Sequence, residues 1–212
     1  CDGLVWLLKE LFSCDPRGYA FVASNEEAMH LLVNAFEATL MSKDLSPKGI
    51  LILLFMWRSV INRVGKALHG VMLRDEVLRL MAMLLSARHL ANLGKWPEVV
   101  GGGVQGIQSL VSLLLMILSK PWSTSGAGEV DEDFLAKLRE RLFAHNFVSL
   151  VVSCIETIDS QGLSVPLNFL SRLALSSPRY SQQFVECGGL RPSRLAHILR
   201  PENSPPILVD GL

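Results

Sequence analysis

The chain has 212 residues, half of them hydrophobic, and its 20 basic and 20 acidic side chains cancel. A balanced charge excludes the global field that recruits nucleic acid or an anionic lipid surface. Leucine dominates, aromatics make up only 7% and period-two alternation is rare, so the composition is that of helices packed on more than one side.

The first helical patterns run from Leu4 to Ser13 and from Glu26 to Met41, and a third from Pro47 to Val64. The longest unbroken apolar runs, Ile50 to Trp57 and Leu113 to Leu118, fall well short of the ~18–20 residues that span a bilayer. The sequence therefore predicts no membrane-spanning helix and no membrane partner. The chain opens on Cys1 with no basic segment ahead of an apolar one, which predicts a piece of a longer protein and no cleaved leader. A fourth pattern covers Lys66 to Ala87.

Charge is uneven here. Between Arg58 and Lys120, eight Lys or Arg stand against Asp75, Glu76 and Glu98. A solvated helix face accounts for such a run; an acidic partner surface is the functional reading. On that reading Arg58, Arg63, Arg74, Arg79 and Arg88 are candidate partner contacts. Among Trp6, Trp57, Trp96 and Trp122, the two beside prolines, Trp96 before Pro97 and Trp122 after Pro121, are the better candidates for exposed anchors.

Gly101-Gly102-Gly103-Val104-Gln105-Gly106 matches G-x-G-x-x-G, the phosphate-approaching pattern of dinucleotide folds and kinases. A dinucleotide site needs a buried strand before it and an acidic residue about twenty positions on. Here Trp96 to Val100 is too short, and only Glu129 follows at that distance, after a loop. A kinase needs V-A-I-K, H-R-D and D-F-G, and the chain has none. The motif reads as an inter-helix connection.

The next helix, Val104 to Ser119, carries one apolar stripe of Ile107, Leu110, Val111, Leu114 and Leu118 and a second of Leu113, Met116 and Ile117. Two stripes predict a central helix covered from two sides. Residues 122–131 have loop composition and end in carboxylates, which favour a helix N-terminus. The helix from Glu132 to Ala144 places Leu135, Leu138 and Leu142 inward and Lys137, Arg139, Glu140 and Arg141 outward; another runs from Phe147 to Ile158.

From Leu163 to Leu199 the punctuation is that of stacked repeats. Ser164 and Pro166 open a helix with Leu167, Leu170, Leu173 and Ala174 on one face. Pro178 starts the next, where its missing N–H costs nothing, and Gly188 supplies a positive φ at its end. Leu195, Ile198 and Leu199 form the inner stripe of a third, which Pro201 stops. Such pairs bury too little alone and need neighbours. The fold expected is all-α, an α-solenoid of armadillo or HEAT type, with helical repeats over 1–121, a loop over 122–131, and helical repeats over 132–212 that stop in mid-array after Pro205-Pro206.

Chemistry is sparse. Cys1, Cys14, Cys154 and Cys187 lack close-paired spacing and suit reduced core thiols. His30, His69, His89, His145 and His197 stand alone, with no H-E-x-x-H and no Cys-x-x-Cys. No catalytic, cofactor-binding or metal-binding residue is expected in this segment.

Leu167-Asn168-Phe169-Leu170-Ser171-Arg172-Leu173-Ala174-Leu175, with Gln183-Phe184-Val185 after it, resembles the C-terminal helical-repeat region of the vertebrate Fused serine/threonine kinase. Asp44-Leu45-Ser46-Pro47-Lys48-Gly49 and Asp2-Gly3-Leu4-Val5-Trp6-Leu7-Leu8 resemble the same region in the same order. The resemblance implies a parent with a kinase domain that uses ATP and magnesium, and a docking role for this segment. It further implies Hedgehog signalling, with Suppressor of Fused, Gli transcription factors and a Costal-2-type kinesin as partners, and assembly of the central apparatus of motile cilia. The location implied is the cytoplasm, with the cilium, its axoneme and the nucleus besides. An armadillo adaptor unrelated to any kinase is the alternative, and an all-α enzyme with a site assembled by the fold is the rival of another class.

Overall fold

The computed structural model describes residues 46–64, 69–122, 131–159 and 162–200, with isolated positions before residue 46; the side chains of 59–64, 69 and 71 are not described. The helices expected over Leu4 to Ser13 and Glu26 to Met41, the loop after Trp122 and the stretch 201–212 lie outside the described residues. Within them, every regular element is a helix.

Helix α1 (Pro47–Val64) starts where the sequence predicts. The Ser46 hydroxyl accepts from the Gly49 N–H at 3.1 Å, and Pro47 takes the first position, where no N–H is needed. The helix expected over Lys66 to Ala87 is instead two, α2 (His69–Met72) and α3 (Asp75–Leu84), and a further helix that the sequence reading missed, α4 (Ala87–Leu93), starts where the expected one ends. Arg74 is extended ahead of Asp75 and Glu76, whose carboxylates favour a new helix start. Ser86 is also extended, and its hydroxyl caps α4 by accepting from the His89 N–H. Capping chemistry embedded in an apolar pattern thus breaks what the spacing alone makes continuous.

A 3-10 turn (Glu98–Val100) and Gly101–Gly102 lead to α5 (Gly103–Ser119), followed by a 3-10 turn over Lys120–Trp122. Leu110, Val111, Leu114, Leu115, Ile117 and Leu118 are at most 1% exposed, because α1 and α8 pack along α5 and α4 touches it. The predicted central position holds, although Met116 of the second stripe faces outward. The stretch Glu98–Trp122 is long and apolar enough to cross a membrane, contrary to the expectation from unbroken runs. The residues of α5 buried against neighbouring helices are those of a core helix.

Asp131 caps α6 (Glu132–Ala144) by accepting from the Phe134 N–H at 3.0 Å, and Leu135, Leu138 and Leu142 point inward as predicted. Asn146, at φ 55°, turns the chain into α7 (Phe147–Cys154), and a 3-10 turn (Ile155–Thr157) follows. Helix α7 meets α4, α6, α8 and α9, and Phe147, Val151 and Val152 are at most 1% exposed. Each such side chain contributes roughly 1.5–3 kcal/mol by leaving water.

Helices α8 (Ser164–Ser176) and α9 (Pro178–Glu186) pack as a pair around Ser177, and α10 (Pro192–Ile198) closes the described part. Gly188 takes the predicted positive φ, 81°. The inner stripe of α10 differs from expectation: Arg194 and Ile198 are buried, Leu195 is half-buried and Leu199 is 58% exposed. Arg194 Nη1 donates to the carbonyls of Cys187 and Gly188. The last turn of α9 thus pulls a cation inward and rotates the leucines away from the core. One continuous apolar cluster runs from Ile50 to Ile198.

Candidate functional site

The glycine motif is accounted for by packing. Gly101 (φ 84°) and Gly103 (φ 66°) adopt the left-handed conformation. A Cβ on Gly102 would strike Trp96, one on Gly106 would strike the Gly101 carbonyl, and one on Gly101 would crowd the backbone of Lys48 in α1. The turn locks the start of α5 onto the start of α1, and this close approach is what excludes side chains.

The expected basic contacts are spread over separate elements. Arg58 is half-buried in α1, Arg74 precedes α3, and Arg79 and Arg88 are exposed on α3 and α4; the Arg63 side chain is outside the described residues. Trp96 is 49% exposed, as the sequence suggests. Trp122 is half-buried and meets Phe169 edge-on at 6.4 Å between ring centres, so the proline beside it leads the indole onto the core. Trp57 is a core residue at 2% exposure.

The structure assembles a different site, which sequence reasoning missed. A groove of about 450 Å³ opens between α6 and the α8–α9 corner, lined by Lys137, Arg139, Glu140 and Arg141 on one side and by Ser176, Ser177, Arg179 and Tyr180 on the other, with Ala136 at its edge. Leu135, Leu138 and Leu142 turn inward, and that packing aims the charged face of α6 at the groove.

On the opposite wall, the Pro178 start of α9 places Arg179 and Tyr180 in the first turn, beside the junction. The Arg179 guanidinium donates to both Glu140 carboxylate oxygens at 2.9 and 3.2 Å and lies 3.8 Å over the centre of the Phe143 ring. A planar guanidinium makes both contacts at once. Phe143 and Tyr180 meet edge-to-face at 5.6 Å, and the Tyr180 hydroxyl donates to the Arg139 carbonyl. Burial pushes the Tyr180 hydroxyl up to about 12. The signal that could have marked α6 is its outward run Lys137, Arg139, Glu140, Arg141; nothing local marks Arg179 as its partner across some forty residues.

Behind the groove, Arg141 Nη1 donates to Asp75 Oδ1 at 2.6 Å and His145 Nε2 lies 3.2 Å from the same oxygen. The Arg141 hydrogen bond, with that of His145, holds the Asp75 carboxyl below its ordinary value. Cys154 is buried and donates toward the carbonyls of Leu150 and Leu85, and burial raises its thiol to about 12. A thiol held protonated is a poor nucleophile. Among the described residues, no cluster of three or more His, Cys, Asp or Glu side chains could hold a metal ion. The arrangement can bind and orient charged groups; no nucleophile–base pair stands in it.

No family model matches the chain, and no solved structure matches it. It is 23% identical over 181 residues to the serine/threonine-protein kinase TIO of Arabidopsis thaliana. The alignment covers 70% of this chain and 14% of that kinase, so the chain spans a small part of the relative's length. This supports a distant relationship to a serine/threonine kinase, the class implied by the Fused resemblance, without singling out the C-terminal region of the vertebrate enzyme.

Proposed function

We propose that this chain is a non-catalytic docking segment, an armadillo- or HEAT-type α-solenoid, within a Fused-like serine/threonine kinase. The observation that carries the reading is the distant match to a serine/threonine kinase in a chain without V-A-I-K, H-R-D or D-F-G and with helices alone among its described elements. ATP and magnesium belong to the kinase domain of the parent. The segment works by effective concentration, holding the kinase near a target and raising encounter without new chemistry. The partners proposed are Suppressor of Fused, Gli transcription factors and a Costal-2-type kinesin, and the settings are Hedgehog signalling and central-apparatus assembly in motile cilia.

The test is a binding titration of the chain against a Costal-2-type kinesin coiled coil, with Suppressor of Fused in parallel. Saturable binding to either is the expected result. No binding to either by a folded, helical chain removes these direct partners.

A further inference from the structure

The α6/α9 groove lies outside the basic stretch that the sequence singles out, and its chemistry is specific. Its lining residues include four cations, Lys137, Arg139, Arg141 and Arg179, against the single carboxylate of Glu140. Two further carboxylates pair with these cations, Asp75 with Arg141 at 2.6 Å and Glu132 with Arg139 at 3.7 Å, and neither lines the groove.

Lys137 is exposed and makes no ion pair among the described residues. The Arg179–Glu140 pair is open to solvent on both sides, 42% and 67% exposed, so an incoming acid can replace Glu140 at little cost. The position of Glu140 on Arg179 shows how a carboxylate seats there: bidentate, over a guanidinium steadied by the Phe143 ring. Ser176 and Ser177 line the opposite wall, the Ser176 hydroxyl donating to the Leu173 carbonyl.

We infer that this groove is a docking site for an acidic peptide segment of a partner protein, with a partner carboxylate taking the place of Glu140 on Arg179 and neighbouring carboxylates meeting Lys137 and Arg139. At about 450 Å³ its volume is within the usual range of ligand sites. The inference rests on the docking reading above and names the chemistry of the segment that is docked.

The test is fluorescence anisotropy of labelled octaglutamate titrated with the complete chain at low and at physiological salt, with octaglutamine as the neutral control. The expected result is salt-sensitive binding of octaglutamate, weakened about three- to fivefold by Lys137→Glu and by Arg179→Gln and unchanged by Lys48→Glu, an exposed position on α1. Lys137 is exposed and makes no ion pair among the described residues, so its variant reads charge without a folding defect; circular dichroism checks both variants. Absence of octaglutamate binding, wild-type affinity in both groove variants, or an equal loss from Lys48→Glu overturns the assignment. A matched phosphoserine peptide that binds where octaglutamate does not overturns the carboxylate as occupant. Groove-mapped octaglutamate binding together with failure of the kinesin and Suppressor of Fused titrations leaves the groove standing and removes only those partners.

Discussion

Asp75, the first residue of α3, accepts a 2.6 Å hydrogen bond from Arg141 in the last turn of α6. The pair places an anion at one helix N-terminus and a cation at another helix C-terminus, so both macrodipoles favour the contact that joins them. His145, at the C-terminal end of α6, adds a second partner to the same oxygen. A carboxylate held this way is lowered from its ordinary 3.8 in the folded chain. The stabilisation is therefore fully present above the unfolded value and is lost as pH falls through the folded one.

Asp75→Asn is expected to lower stability slightly near neutrality and to flatten the acid limb of the stability curve below about pH 4 by the same small amount, since the pair is open to solvent. Urea midpoints across the acid range check it. Parallel acid limbs in variant and wild type would show that the contact does not survive in solution.

Gly106→Ala places a methyl group against the Gly101 carbonyl at the join of α5 to α1. Backbone cannot yield as a flexible side chain does, so the expected cost is about 1–3 kcal/mol, read as a lower urea midpoint with an unchanged slope. A neutral or stabilising effect would mean that the turn relaxes freely and that the glycine pattern needs another explanation.

Tyr180 hydrogen-bonds to the Arg139 carbonyl across the groove wall and stays protonated up to about 12 because burial disfavours its charged form. A raised acid pKa contributes stability that is complete below the unfolded value of about 10 and is lost as pH rises toward the folded one. Tyr180→Phe should cost about 1 kcal/mol at neutral pH and should soften the alkaline loss between those limits. The absorbance of tyrosinate in the wild-type chain, with Tyr19 as the other tyrosine, should show one late titration that the variant lacks.

What the sequence discloses here follows from the range of the interaction. The bounds of α1 and α6 were legible because a Ser-Pro start and an amphipathic period are local signals. The centrality of α5 was legible from its double stripe. The breaks at Arg74 and Ser86 were not, since a cap competes with helix continuation by a margin that periodicity does not measure. The groove was legible only by half. The outward charges of α6 are a local pattern, but Arg179 and Tyr180 reach them only through the packing of α9 on α7 and α6.

The inward turn of Arg194 is the clearest override of hydrophobic pattern by electrostatics, and it can be measured. Its guanidinium satisfies the Cys187 and Gly188 carbonyls at the end of α9 and lies 3.9 Å from Glu156, which also accepts from the Ser193 hydroxyl. Arg194→Leu puts an apolar group there but abandons two part-buried acceptors. It should cost about 1–3 kcal/mol, whereas the leucine stripe alone would make it stabilising. Arg194→Lys keeps the charge at the helix C-terminus and loses the fork, so it should fall between the two. Urea denaturation of the three chains orders them. A leucine variant as stable as the wild type would show that burial of this arginine follows from packing geometry and adds nothing to the closure of α9.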